Sequence, residues 1–331
     1  MKKFFGDFTG AFLKTSIYVF CCLSLIGLSS CSDDDPEDGG GDKPTPGLVS
    51  TTVPSEGWSG STENGICTYR SDDEEEDFPT YYAFAFENGK CTDAVFNLVC
   101  ESEAMAKEVS HKLNSGEWIY DDDDEDYNIA SLAERRNPVL AQALHCSKAI
   151  RAGVKGTRAT GHNVMGIACT QEGRIVYFKL EAMEGLDGGS VKYVMEAWDT
   201  GLDWNHLPEK PLFGTWDEAT GRYTSNSIQA IPGTKIEIET EFNSSDIVTK
   251  YVATFTFPNE TWAEILEEVF REQAEGYKEV LGLELTITRN GKVVTSNNVN
   301  IETLNESKKD LVKMIIATDI LNAQPIGTAM F

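Results

Sequence analysis

Two stretches of this chain alternate apolar and polar residues so regularly that they leave little choice of structure. In Lys235 to Phe242 the apolar positions are Ile236, Ile238 and Phe242, and in Val248 to Phe257 they are Tyr251, Ala253, Phe255 and Phe257. Successive side chains of a strand point to opposite faces, so this period predicts an antiparallel pair with one face buried and one wet. Such a sheet needs a cover on its apolar side. The next stretch, Thr261 to Tyr277, supplies it, because Trp262, Ile265, Leu266, Val269 and Phe270 recur at helical spacing and form one stripe. A hairpin follows at Asn290-Gly291, where a two-residue turn places Ile287 opposite Val294. A last helix over about 306–321 carries Leu311, Val312, Ile315 and Ile316.

The first half repeats the theme with different residues. A short strand is expected over Ile66 to Arg70, then a hairpin of Tyr81 to Phe86 and Thr92 to Cys100 around Asn88-Gly89. A three-residue loop with Gly89 in the left-handed region aligns Tyr82, Phe84 and Phe86 with Ala94, Phe96 and Leu98. A two-residue loop sets them on the face of Asp93 and Asn97. The longer loop is the expectation. Helices are expected over Ser102 to Leu113, with Met105, Val109 and Leu113 as its stripe, and from Asn137-Pro138. Strands are expected over Asn163 to Thr170, Arg174 to Leu180 and Val191 to Trp198, as a meander. The fold class is therefore α+β: antiparallel hairpins and meanders covered by amphipathic helices, in two domains, 58–207 and 208–331.

Ahead of these domains lie two segments that do not pack as a core. Lys2, Lys3 and Lys14 flank an apolar run from Ser16 to Leu28 that is too short to span a bilayer and ends on small residues, the pattern of a secretion signal over 1–30. Residues 31–57 hold Gly39-Gly40-Gly41, Pro36, Pro44, Pro46 and Pro54 with almost nothing apolar, which reads as a flexible linker. As a coil it spans about 25–30 Å.

The tetrad Leu28-Ser29-Ser30-Cys31, followed by Ser32-Asp33-Asp34-Asp35, carries a resemblance. It resembles the type II signal peptide of bacterial lipoproteins, and the acidic tetrad resembles the export signal of surface-exposed lipoproteins of the Bacteroidota. The resemblance implies cleavage before Cys31, acylation of Cys31 and attachment to the outer membrane with the folded part facing the cell exterior. Several acyl chains on one cysteine make such an anchor stable.

Charge and motifs narrow the function classes. The chain carries a net charge of -26, which argues against nucleic acid as a partner. It has no nucleophile elbow, no phosphate-binding loop, no His-Glu-x-x-His and no dinucleotide glycine motif. Five cysteines remain beyond Cys31, namely Cys67, Cys91, Cys100, Cys146 and Cys169, with no Cys-x-x-Cys among them. Cys100 and Cys169 alternate with apolar neighbours and suit buried strand positions, while nine residues of strand hold Cys91 and Cys100 too far apart to bond. The acidic runs Asp72 to Asp77 and Asp121 to Asp126 lack the glycine and terminal glutamate of a calcium loop, so no metal and no cofactor is expected.

Two sets of residues stand out as candidate ligand-binding groups. Trp198, Trp204 and Trp216, near Asp199, Asp203 and Asp217, can build an aromatic platform for a sugar ring or simply pack a domain junction. Between Arg135 and Gln171 there are six basic residues and no acid. Arg151, Lys155 and Arg158, near Gly153, Gly156 and Gly161, can hold an anion or dock against the chain's own acidic runs. The expectation is a non-enzymatic binding or accessory module for a glycan or a surface protein. A surface glycan hydrolase is the alternative, marked by two carboxylates about 5–10 Å apart near the tryptophans. A structural subunit of a surface assembly is a second alternative, marked by an apolar patch or an open strand edge.

Overall fold

The computed structural model of the chain describes residues 43–71, 78–115, 168–228 and 233–324. It is α+β, with two six-stranded antiparallel sheets and a few helices. Each sheet belongs to its own compact unit, and the division falls between 202 and 203, where the sequence reading put it between 207 and 208. The signal segment, Cys31, both acidic runs, the helix expected at Asn137-Pro138, Cys146 and the basic stretch with Arg151, Lys155 and Arg158 lie outside the described residues.

The first unit is built on strands β1 (Gly57–Gly60), β2 (Gly65–Arg70), β3 (Thr80–Glu87), β4 (Lys90–Val99), β5 (Thr170–Glu172) and β6 (Ile175–Lys179), ordered β1-β2-β3-β4-β6-β5. Cross-strand pairing places Trp58, Tyr69, Tyr82, Phe96 and Phe178 in one row across five strands. Consecutive rings in this row lie 4.8–6.4 Å apart between centroids, within the range at which aromatic pairs attract. The opposite face is aliphatic and tyrosine-rich: Tyr81, Ala83, Ala85, Val95, Val99, Ile175 and Tyr177 form one buried cluster.

Helix α1 (Glu103–Ser115) follows β4 as expected, with Val109 and Leu113 buried. The strand expected over Val191 to Trp198 is instead helix α2 (Gly188–Thr200). The β-branched and aromatic residues there suggested a strand, but Val191, Val194, Met195 and Trp198 fall on one helical stripe. Asp187 caps the helix, accepting from the Ser190 amide at 2.9 Å. Helix α2 meets the aromatic row at its edge, with Lys192 Nζ 5.6 Å from the Trp58 ring and Tyr69 donating to Asp199 at 2.6 Å.

The β3–β4 hairpin keeps the expected register by a different route. Its turn is the two-residue Asn88-Gly89, both in the left-handed region, with Glu87 opposite Lys90. A bulge at Thr92 then inserts one residue, so that Phe84 faces Ala94 and Tyr82 faces Phe96. The extra residue needed to match the apolar faces sits inside the ladder rather than in the loop.

A second correction concerns residues 43–57, read as part of a flexible linker. Leu48 is fully buried against the Tyr81–Val95–Tyr177 face, with Val49 and Val53 packed beside it. Three polar residues of the sheet hold the same segment by its backbone. Asp93 accepts from the Thr45 amide at 2.6 Å, Asn97 donates to the Leu48 carbonyl at 3.0 Å, and Tyr81 bonds Ser50. Residues 43–56 contain no helix or strand, and Gly57 opens β1, but composition is blind to docking of an irregular segment.

The four described cysteines all carry free thiols. Cys91 lies in β4 and Cys100 directly follows it, and both are buried. Cys169 precedes β5 half-buried, its amide accepted by Asn114.

The second unit holds β7 (Gly214–Asp217), β8 (Arg222–Ile228), β9 (Thr234–Phe242), β10 (Val248–Thr256), β11 (Leu285–Asn290) and β12 (Val293–Asn298), ordered β11-β12-β10-β9-β8-β7. Ile236, Ile238, Ala253, Phe255, Ile287 and Val294 point inward, while Glu239 and Glu241 on the wet face pair with Arg222 and Lys250. Helix α3 (Glu260–Leu281) covers the apolar side as expected: Trp262, Leu266 and Phe270 are buried, and the Phe270 ring sits 5.0 Å from that of Phe255. Asn259 caps its start and Gly282, in the left-handed region, ends it.

The β11–β12 turn is Gly291-Lys292 rather than Asn290-Gly291, so Ile287 faces Ser296 and Val294 faces Arg289. Gly291 takes the positive φ that the first position of a type II′ turn requires. A slip of two residues preserves the faces, so Ile287 and Val294 are buried together all the same. Helix α4 (Lys308–Asn322) closes the unit, with Leu311, Ile315 and Ile316 buried.

Candidate functional site

The second unit contains an open groove of about 1030 Å³ between strand β7, the segment leading into it, and helix α4. Strand β7 is an end strand whose Trp216 lies directly opposite Tyr223 of β8. Tyr223 is buried, so Trp216 is on the inward face, yet its ring is only half-buried because the sheet ends there. Across the groove, Lys309, Val312, Lys313 and Ile316 form one stripe of α4, following the three-and-four spacing of a helix face.

A buried carboxylate fixes the two walls to each other. Asp319, on α4, accepts from the Leu212 and Phe213 amides at 2.6 and 2.9 Å and from the Tyr223 hydroxyl at 2.6 Å. Burial pushes its pKa up, and these bonds offset part of that rise. Gly214 is required beside it, since any β-carbon there would overlap the Tyr223 ring. The Trp216 wall is therefore held to α4 by side chains absent from the groove's surface.

The charge on the walls is unlike that of the rest of the unit. Four of the eleven Lys and Arg among residues 203–324 line the groove (Lys210, Lys308, Lys309 and Lys313), against three of the twenty Asp and Glu there (Glu209, Glu218 and Asp246). Lys308 is occupied, with Nζ 3.1 Å from Glu218 and 5.6 Å from the Phe242 ring. Lys210, Lys309 and Lys313 form no ion pair among the described residues.

Of the candidate ligand-binding residues that lie among the described residues, Trp198, Trp204 and Trp216, only Trp216 lines this groove. Trp198 belongs to α2 of the first unit, whereas Trp204 and Trp216 belong to the second, so neither unit contains a platform of all three. The nearby carboxylates serve local structure. Asp199 accepts from Tyr69 and Ser71, and Asp217 accepts from the Ala219 amide and the Thr220 hydroxyl. Asp203 contacts His206 at 2.6 Å and accepts from the Asn205 amide. Hydrogen bonds hold Asp203 and Asp217 below the usual carboxylate range, the reverse of what a general acid needs.

The lysines were the part of the site missed in the sequence. Their signal was present as Lys308-Lys309 followed by Lys313, four residues on, with Val312 and Ile316 between and beyond. The last helix was read there only for the apolar stripe that faces the core. Among the described residues no group of His, Cys, Asp and Glu is arranged to hold a metal, and no helix is long and apolar enough to cross a membrane. No protein-family model matches the sequence, and no curated protein matches it significantly.

Proposed function

We propose that this chain is a lipoprotein anchored in the outer membrane through acylated Cys31, facing the cell exterior, and that its second unit is a non-enzymatic module binding a glycan in the β7–α4 groove. The anchor rests on Leu28-Ser29-Ser30-Cys31 and the acidic tetrad after it. The binding reading rests on one observation: a half-buried Trp216 indole faces a groove whose other wall presents Val312 and Ile316. A sugar ring has a C–H face that stacks on an indole and a hydroxyl rim that needs polar partners, and large aromatic rings contribute most of such binding energy. The groove's volume is at the upper end of small-ligand sites, about 300–1,000 Å³, so it accommodates more than one ring.

The non-enzymatic reading is supported by the commitment of Asp203 and Asp217 to local turns. The test is a glycan array probed with the full-length Cys31→Ser protein, which lacks the acylation site and can be purified without lipid. Binding is expected for at least one class of oligosaccharide and is expected to be lost in Trp216→Ala. An array on which no glycan binds sinks this reading and leaves a protein ligand, for which the outer edge of β7 offers unpaired backbone groups.

A further inference from the structure

We infer that the groove selects anionic glycans, chains bearing uronate or sulfate groups, and that Lys309 and Lys313 with Lys210 opposite are the residues that select them. This inference rests on the glycan reading and adds to it the charge of the ligand. Three observations carry it. First, the cations are segregated: the groove concentrates lysines in a stretch, residues 203–324, where acids outnumber bases by nearly two to one. Second, apart from Lys308 they form no ion pair among the described residues. Lys308 is the lysine of the groove that is tied to a wall, through Glu218, and removing both members of that pair from the count still leaves Lys210, Lys309 and Lys313 against Glu209 and Asp246.

Third, the positions suit a ring with a charged edge. Lys309, which is exposed, and Lys313, which is half-buried, are one helical turn apart on the same face, with Val312 alongside, so both line the groove beside apolar wall. A sugar stacked on Trp216 meets aliphatic surface with its C–H face. Its carboxylate or sulfate then falls among ammonium groups that hold no competing ion pair. Lysine treats such a group as a point charge and demands no fixed geometry, so uronate and sulfate share the chemistry.

The global field works against this local attraction. A chain of net charge -26 repels a polyanion beyond the groove. Salt screens the long-range repulsion over about 8 Å at physiological strength, and it also weakens the contacts of the exposed Lys210 and Lys309. Association is therefore expected to quicken as salt rises from a very low value, and dissociation to quicken as well. A simple basic patch shows only the loss.

The experiment compares three probes by titration calorimetry on the full-length Cys31→Ser protein: a neutral gluco-oligosaccharide, an oligogalacturonate and a sulfated galacto-oligosaccharide of similar length. At least one anionic probe is expected to bind about tenfold more tightly than the neutral one. The double variant Lys309→Ala with Lys313→Ala is expected to remove that preference, so that the anionic probes bind no more tightly than the neutral one, with the melting temperature unchanged. Lys309→Arg with Lys313→Arg is expected to retain it. Equal affinity for neutral and anionic probes overturns the charge inference and leaves the glycan reading standing. Binding of no probe removes both. Anionic binding that survives in the double variant assigns selection elsewhere and overturns the inference. Binding that is unaffected in both Trp216→Ala and Trp216→Phe reduces the groove to a nonspecific cation patch, against the glycan reading itself.

Discussion

Tyr81 and Ser50 are bonded twice: the Tyr81 hydroxyl donates to the Ser50 carbonyl at 2.6 Å and accepts from the Ser50 amide at 3.0 Å. One buried phenol thus satisfies both backbone groups of a residue 31 positions earlier, in a segment with no regular structure of its own. Together with Leu48, Asp93 and Asn97 it makes residues 45–50 a strap across the sheet.

The strap contributes to stability in a way a tether does not. Leu48→Ala is expected to cost about 2–5 kcal/mol, the range for emptying a buried leucine site, and Tyr81→Phe about 1 kcal/mol. Urea unfolding curves check both. Changes within about 0.5 kcal/mol, as at an exposed surface position, would return this segment to the role of a free linker.

Asp319 sets a pH dependence whose sign can be worked out. Burial raises its pKa, so the folded state holds the proton more tightly than the unfolded chain. The stability it adds is fully present below the ordinary aspartate value of about 3.9 and is lost as the pH rises from there through the folded value. Asp319→Asn, which cannot titrate, is expected to cost about 1–3 kcal/mol at acid pH through its weakened bond to Tyr223. The gap between wild type and variant is expected to narrow as pH rises and then to level off. A gap that widens with pH would show that the fold prefers the carboxylate.

Native thiols are expected to be inert. Burial pushes Cys91 up to about 12 and Cys100 to about 11, and it also raises Cys67, so almost no thiolate exists at pH 8. Iodoacetamide followed by peptide mass mapping should leave Cys67, Cys91 and Cys100 unmodified in the folded protein and modify them in denaturant. Rapid labelling of Cys91 without denaturant would contradict the packing of β4.

For the anchor, Cys31→Ser is expected to move the protein from the membrane fraction to the soluble fraction of the envelope. A variant that stays with the membrane at the wild-type level would disprove lipid attachment at Cys31.

The positions of helices α1, α3 and α4, and of β2–β4, β6 and β9–β12, were legible because each announces itself over a few neighbouring residues. Alternation sets a strand's faces and a three-and-four stripe sets a helix's, so Phe84, Phe96, Ile236, Phe255, Trp262 and Leu311 could be assigned to the core without knowing what they touch. The same local signals fixed the hairpin faces, even where the turn itself was misplaced. A change of register by two residues moves a turn without moving a side chain to the other face.

What the sequence left undecided depends on contacts between distant residues. Val191 to Trp198 satisfies the composition of a strand and the spacing of a helix; the Asp187 cap and the Trp58–Tyr69 edge that the helix meets select the latter. Leu48 looks like an isolated apolar residue in a linker until Asn97, 49 positions later, meets its carbonyl. The groove joins Trp216 to a helix face nearly a hundred residues further on, through Asp319 and Tyr223, which are 96 positions apart. Local periodicity reports which face of an element is apolar, because that is a property of neighbouring side chains. Which two elements share a wall is set by the sum of long-range burial and satisfied polar groups, and that sum exists only in the folded chain.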